Sequence, residues 1–159
     1  MTTKNSDLVA NLEASPQVAN KAQELQGVVR IAQGNVALLA ADSTNGDIVM
    51  LAPIPSNASI VSIRVGSDGL GGSCTYDIGI YTDAGGVKDI DFFATSVADD
   101  AALAELRYEA ANLNTTGQQL YTMAGDSTDP GGFYYIAATF DATGGTGGDM
   151  AFIIEYVVN

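Results

Sequence analysis

The feature that most constrains this chain is a change of pattern at Gly27. Residues 1–26 are polar, with single apolar residues at no steady period. From Gly27 onward, β-branched and aromatic runs alternate with turns rich in glycine, asparagine and aspartate, which is typical of strands joined by tight turns. We therefore predict two parts, an extended N-terminal arm (residues 1–26) and a β domain (residues 27–159).

The β domain contains about eight strand-like runs, and it has no internal repeat with a period of 20–50 residues. This pattern predicts an all-β fold, a jelly-roll-type antiparallel β-sandwich preceded by the arm. An immunoglobulin-like sandwich is the alternative, but the chain lacks tryptophan and has a single cysteine, so it lacks that fold's usual core residues.

Several local patterns locate the strands. "VVRIA" and "NVALLAA" are predicted as two short strands separated by Gln33–Gly34, and "NG" at 45–46 as a turn. Pro53 and Pro55 should close a strand or hold it at a sheet edge. In "ASIVSIRVG" the alternation predicts one apolar face, formed by Val61, Ile63 and Val65.

The last run, residues 149–158, is apolar on both of its faces, so we predict a central strand that is covered on each side.

The middle of the chain is harder to interpret. Residues 99–110 contain helix-forming residues, but we expect irregular or strand-like structure with a helical turn. Residues 116–125 are expected to form another helical turn.

The single cysteine, Cys74, excludes an intrachain disulfide. It alternates with polar residues in "SCTYDIGIY", on one face with Tyr76, Ile78 and Ile80, and is expected to be a small buried core residue. The chain is therefore expected to fold in a reducing cytoplasm. No run approaches the ~20 consecutive apolar residues of a membrane span, so no membrane partner is predicted.

The charge is unevenly distributed. Residues 1–30 contain three basic and three acidic side chains, which sum to zero, while the chain as a whole has a net charge of −13. An acidic body repels phosphate backbones, so no nucleic-acid partner is predicted. A neutral arm on an acidic body suggests that the arm binds a partner while the body stays solvated.

Catalytic motifs are weak. The chain has no histidine, which removes histidine-based catalysis and histidine metal sites. The carboxylate pairs Asp89–Asp91 and Asp99–Asp100 could serve a glycosidase, but acidic residues in polar stretches are more often solvated surface. We predict no enzymatic activity and no catalytic residue.

Three aspartates lie in glycine-containing loops, Asp83 in "TDAGG" and Asp126 and Asp129 in "DSTDPGG". Calcium is conceivable there, but turn chemistry explains these residues better. The glycine-rich loops also lack the lysine and following helix of a phosphate site. We therefore predict no metal and no cofactor.

A carbohydrate-binding, lectin-like module is the alternative function. Sugar sites generally use exposed aromatic rings, but four of the tyrosines follow strand patterns that predict burial or half-burial. They are Tyr76, Tyr134, Tyr135 and Tyr156.

The arm has apolar side chains too sparse for a core of its own. One interpretation is a disordered leader; the other is a segment that orders on a partner and places isolated apolar side chains in its grooves. Leu8, Leu12 and residues 19–25 could form a helical turn or two. The candidate binding residues are Leu8, Val9, Leu12, Pro16, Val18 and Leu25.

Several blocks of the sequence resemble the small jelly-roll cement (decoration) proteins of tailed bacteriophage capsids. They are "SPQVANKAQELQGVVRIAQGNVAL", "GDIVMLAPIPSNASIVSIRVGSDGL", "YDIGIYTDAGG" and "DIDFFATSV", and the resemblance extends from about residue 15 to the C-terminus. Of these, "PIPSNA" and "DIGIY" are the most distinctive.

The resemblance implies a structural virion protein, made in the bacterial cytoplasm and located on the outer capsid surface. Its partner would be the major capsid protein, contacted by the arm, and it would stabilise contacts between neighbouring capsomers. Self-association is expected, preferably as a homotrimer because shells offer local threefold positions, with a homodimer as the alternative.

Overall fold

The structure, a computed structural model, describes residues 5–19, 27–71, 73–82, 84–99 and 102–158. Strands dominate it, and helix is confined to short segments. The helices are α1 (Asp7–Glu13) and α2 (Leu120–Met123), with single 3-10 turns at Ala40–Asp42 and Leu113–Thr115. The strands are β1 (Val29–Leu38), β2 (Ile48–Pro55), β3 (Ala58–Ser67), β4 (Thr75–Thr82), β5 (Val87–Ala98), β6 (Ala104–Glu105), β7 (Phe133–Ala142) and β8 (Gly148–Val158).

The eight strands form two four-stranded sheets, in which every pairing is antiparallel. Sheet I has the order β1-β8-β3-β6 and sheet II the order β2-β7-β4-β5. Every connection except β4–β5 crosses from one sheet to the other, which is the arrangement of a jelly roll. The predicted all-β sandwich is confirmed.

The core lies between the sheets and is built from the inward-facing apolar residues of both. Ile63 and Ile154 of sheet I and Ile78 and Ile136 of sheet II are fully buried. Cys74 is buried beside Tyr76, as its alternating pattern predicted. Each fully buried aliphatic side chain stabilises the fold by about 1.5–3 kcal/mol relative to exposure.

The prediction that the last strand is central is confirmed, because β8 pairs with β1 on one side and β3 on the other. The two faces of β8 are buried to different extents. Met150, Phe152 and Ile154 are buried in the core, whereas Ala151 and Ile153 on the opposite face are only half-buried. Pro53 and Pro55 lie in β2, one of the two edge strands of sheet II, as predicted.

Two local predictions are wrong. β1 runs unbroken through Gln33 and Gly34 rather than as two strands, because β8 pairs with all ten of its residues. Val61 is exposed and does not join Ile63 and Val65 in the core. A β-bulge between Ile60 and Ser62 changes the register with β8 and turns Val61 outward.

The middle of the chain is irregular, as expected. After β5 come the two-residue strand β6 and a series of turns, and α2 is the helical turn expected within residues 116–125. β5 itself is strongly bulged. A step of five positions along β5, from Asp89 to Ala94, corresponds to a step of only two along β4, from Ile80 to Ile78.

Candidate functional site

The arm is described for residues 5–19, which form one short helix and an irregular continuation. Ser6 is the N-cap of α1 and its Oγ accepts a hydrogen bond from the backbone N–H of Val9 at 3.5 Å. Asn5 Nδ2 donates to Glu13 Oε2 at 2.7 Å and so ties the two ends of the helix together. A helix of seven residues is marginal in isolation, so these local bonds matter to its stability.

The candidate arm residues show little burial. Val9 is 40% and Val18 49% exposed. Pro16 is exposed and Leu8 half-buried. Leu12 lies within α1, while Leu25 and most of the predicted helical segment 19–25 lie outside the described residues.

No residue of the arm whose burial is described is buried, and the core cluster with its packed neighbours begins only at Ala32. The structure therefore leaves the described apolar side chains of the arm outside the core of their own subunit. The roles of the six candidate residues and the boundary at residue 26 stay predictions.

The sandwich has two chemically different ends. At the end where β1 terminates, the loops after β1, β3, β5 and β7 meet through hydrogen bonds such as Gly144 N–H to the Ser43 carbonyl at 2.8 Å. We call this the acidic end, because its segments contain no lysine or arginine. Its described carboxylates are Asp42, Asp47, Asp68, Asp99, Asp141 and Asp149.

The carboxylates of the acidic end support their own loops. Asp42 accepts from the Leu39 N–H and Asp47 from the Thr44 N–H, at 2.9 and 2.8 Å. Asp99 accepts from the Ser67 hydroxyl and the Leu70 N–H. In these roles the carboxylates stabilise the turns that carry them.

The arm joins the sandwich at the opposite end, which we call the arm-proximal end. β1 starts there at Val29, which pairs with Val157 near the end of β8. On sheet II the same end carries an ion pair, Lys88 Nζ to Asp126 Oδ1 at 2.8 Å. Tyr134 also donates its hydroxyl hydrogen to Asp126. These two hydrogen bonds hold the pKa of Asp126 below its usual value.

Two of the three loop aspartates considered for calcium have protein partners. Besides Asp126, Asp129 accepts from the Ser56 hydroxyl at 2.6 Å and from the Gly131 N–H at 2.9 Å. Asp83 lies outside the described residues. Within the part of the chain that the structure describes, no cluster of three or more acidic or cysteine side chains could hold a metal ion.

The described members of the two carboxylate pairs lie in different environments. The backbone N–H of Asp91 donates to Asp89 Oδ1 at a long 3.4 Å, and burial together with Asp91 raises the pKa of Asp89. Asp99 serves the loop described above, and Asp100 lies outside the described residues. Among the described helices, none is long and apolar enough to cross a membrane.

Arg107 is a buried residue that sequence reasoning missed. Its guanidinium lies between the rings of Phe93 and Tyr108, at 5.1 and 4.5 Å from the two centroids. It donates to the carbonyls of Ile60 and Thr115 at 3.3 and 3.2 Å, and burial lowers its pKa. A lone arginine in an irregular stretch carries no sequence signal of burial, since arginine is almost always exposed.

No protein-family model and no curated protein matches this chain. Its fold matches chains in two solved phage capsids. A chain in the capsid of Ralstonia phage GP4 aligns at 21% identity and a TM-score of 0.51, over 84% of this chain and 86% of the other. A chain in the capsid asymmetric unit of cyanophage Pam1 aligns at 14% identity and a TM-score of 0.52, over 100% of both. The chain therefore shares its fold, over most or all of its length, with these two phage capsid chains.

Proposed function

We propose that this chain is a structural, non-enzymatic cement (decoration) protein of a bacteriophage capsid. It binds the outer surface of the assembled shell and stabilises contacts between neighbouring capsomers. The observation that carries the proposal is the match to chains of two phage capsids over at least 84% of each chain. The alignments also cover 86% and 100% of those two chains, so each is little larger than this fold.

The arm is the proposed contact with the major capsid protein. Val9 and Val18 are exposed in a segment that lies outside the core. Ordering an arm costs about 1–2 kcal/mol per residue in backbone entropy, so one arm binds weakly for its length. Self-association, as a homotrimer or a homodimer, would offset this cost by delivering several arms at once.

Stabilisation of the shell then follows by mass action. A protein that binds the assembled shell and not its dissociated subunits shifts the equilibrium toward assembly. The acidic residues of the sandwich would face solvent, where their repulsion keeps particles apart. Nucleic acid is not a partner in this proposal.

The experiment compares binding to empty shells of the phage that encodes this chain. We expect the chain lacking residues 1–25, and the double variant Val9→Ser/Val18→Ser, to lose binding by at least about tenfold. The matched control is Val61→Ser/Val87→Ser, which removes two comparably exposed valines of the sandwich and should bind normally. Undiminished binding by the truncated chain would transfer the contact to the sandwich.

A carbohydrate-binding role is the second candidate, and one observation favours it. Phe133 is 55% exposed at a cleft of about 390 Å³ that also contains Lys88, Asp126 and Tyr134. An exposed ring beside charged and hydroxyl groups suits the apolar face and the hydroxyls of a sugar. A glycan array separates the two candidates: sugar binding that Phe133→Ala abolishes supports a lectin, and an array without binding removes it.

A further inference from the structure

The four sheet edges of the sandwich differ in how well they are protected. β6 is only two residues long, and β5 is heavily bulged. β2 carries two prolines and a bulge between Met50 and Ala52. β1 has ten residues, no proline and an unbroken register with β8. Short, bulged or proline-containing edges resist further pairing, so β1 is the edge that remains open to it.

The outer edge of β1 is uncovered in the described chain. β1 pairs there with β8 alone, and seven of its ten residues are exposed, with Ile31 at 59%. An edge of this kind presents a row of backbone N–H and C=O groups that another strand can satisfy. What binds it must also match its side chains.

Charge indicates which strand fits. β1 contains no acidic residue, although the chain carries a net charge of −13. Its single charge, Arg30, lies near its start and has no ion-pair partner among the described residues. Beside the other end of β1 is a cleft of about 370 Å³ between β1 and β2, lined by Val36, Leu38, Asp42 and Asp47 among others.

We propose that β1 pairs antiparallel with β1 of a second copy of this chain, about a twofold axis at Gln33. Arg30 of each copy then lies opposite Val36 of the other. Both residues are on the same face of the strand, because side chains alternate and directly opposed residues share a face. Val36 lines the cleft, so the guanidinium of Arg30 reaches the cleft of the other copy near Asp42 and Asp47.

The pairing joins two copies of sheet I into one continuous sheet of eight strands, with no acidic strand at the junction. It places the start of β1, with its cation, beside the acidic end of the second copy, which is the complementarity that an isologous contact needs. The inference rests on the self-association part of the proposed function and selects the dimer. Because the two strands run in opposite directions, the two arms leave from opposite ends of the dimer and can reach different capsomers.

The first test measures mass by light scattering and the dissociation constant by sedimentation. The full chain should be a dimer of its 16.3 kDa subunit. Gln33→Glu places two carboxylates against each other at the axis, and Arg30→Glu puts a carboxylate near Asp42 and Asp47. Each should weaken the dimer by at least about tenfold. The control Gln17→Glu makes the same isosteric charge change at an exposed arm residue and should leave the dimer intact.

The second test is a cross-link. Gln33→Cys should form an intersubunit disulfide on mild oxidation, because directly opposite residues lie within disulfide range. Cys74 is buried and does not compete. A monomer or a trimer, equal effects of Gln33→Glu and Gln17→Glu, or no cross-link would overturn the inference. A protein that forms this dimer but fails to bind shells would support the β1–β1 contact and refute the capsid role.

Discussion

The backbone oxygen of Asp89 lies directly over Gly79, only 2.2 Å from the position that a β-carbon on Gly79 would occupy. The carbonyl oxygen of Ile90 is almost as close, at 2.3 Å. Both belong to the bulged part of β5, which arches over the outer face of β4. The closeness of backbone to backbone explains why a glycine stands in the middle of a central strand.

Gly79→Ala should therefore destabilise the fold by about 1–3 kcal/mol, because the β-carbon meets backbone atoms that cannot move aside cheaply. Urea unfolding followed by circular dichroism measures the change. Gly145→Ala is the matched control, since nothing lies within 4 Å of a β-carbon there. The free energy of unfolding of Gly145→Ala should be within about 0.5 kcal/mol of that of the parent chain. Equal stabilities of the two variants would contradict the close contact of β5 with Gly79.

Arg107→Ala should lower the free energy of unfolding by about 3 kcal/mol, because it removes a buried side chain and leaves the carbonyls of Ile60 and Thr115 without their donor. Arg64→Ala is the control. Arg64 is 37% exposed in an ion pair with Glu155, and a pair of this kind contributes about 1 kcal/mol or less. Chemical denaturation of the two variants gives both values, and a loss at Arg64 as large as that at Arg107 would refute the structural role of Arg107.

The titration of Asp77 should be visible in the pH dependence of the free energy of unfolding. Asp77 is buried on the outer face of sheet II, and its carboxylate accepts a hydrogen bond from the Ser96 N–H at 2.7 Å. Burial raises the pKa of its carboxyl above the ordinary 3.8, and the charge of Asp141 adds to this. The folded state thus holds the proton more tightly than the unfolded chain, so stability falls as pH rises from 3.8 through the raised pKa.

Asp77→Asn keeps an acceptor for Ser96 without the buried charge, so it should raise the melting temperature at pH 7. The gain should vanish below pH 3.8, where Asp77 is neutral in both states. Asp126→Asn should behave in the opposite way. Its hydrogen bonds with Lys88 and Tyr134 lower the pKa, so the variant loses stability at pH 7 and the loss shrinks as pH falls through that lowered pKa. Parallel pH profiles for the two variants would contradict both assignments.

Removal of residues 1–25 should leave the free energy of unfolding of the sandwich within about 0.5 kcal/mol. The reason is that the described arm residues contribute no buried side chain to the core. Calorimetry of the truncated and full chains tests this at concentrations where both are monomeric. A drop of several degrees in the truncated chain would mean that the arm packs on its own subunit.

Patterns confined to one strand predicted the structure well. The two apolar faces of β8 predicted its central place, the prolines predicted the edge position of β2, and Asn45–Gly46 predicted a turn, in which Gly46 has φ of +91°. These features are local, because side-chain alternation and backbone preference depend on near neighbours. The arm and its boundary at residue 26 stay predictions.

Features that depend on a distant strand could not be predicted. Val61 fits the apolar alternation of Ile63 and Val65 in the sequence, but the pairing of β3 with β8 introduces the bulge that turns Val61 outward. β1 reads as two strands because Gln33 and Gly34 are poor strand formers, and pairing with β8 overrides that preference. Arg107 is buried only because Phe93, Thr115 and Ile60 come together around it.

The central position of β8 has a consequence for biosynthesis. β1 and β3 do not pair with each other, so neither gains its main partner until the ribosome has released Gly148–Val158, over a hundred residues after β1. Such distant pairing makes folding slow, in the range of milliseconds to seconds. Nascent chains on one messenger would meanwhile expose both edges of β1 to each other, so closely spaced ribosomes should favour mispaired, insoluble product.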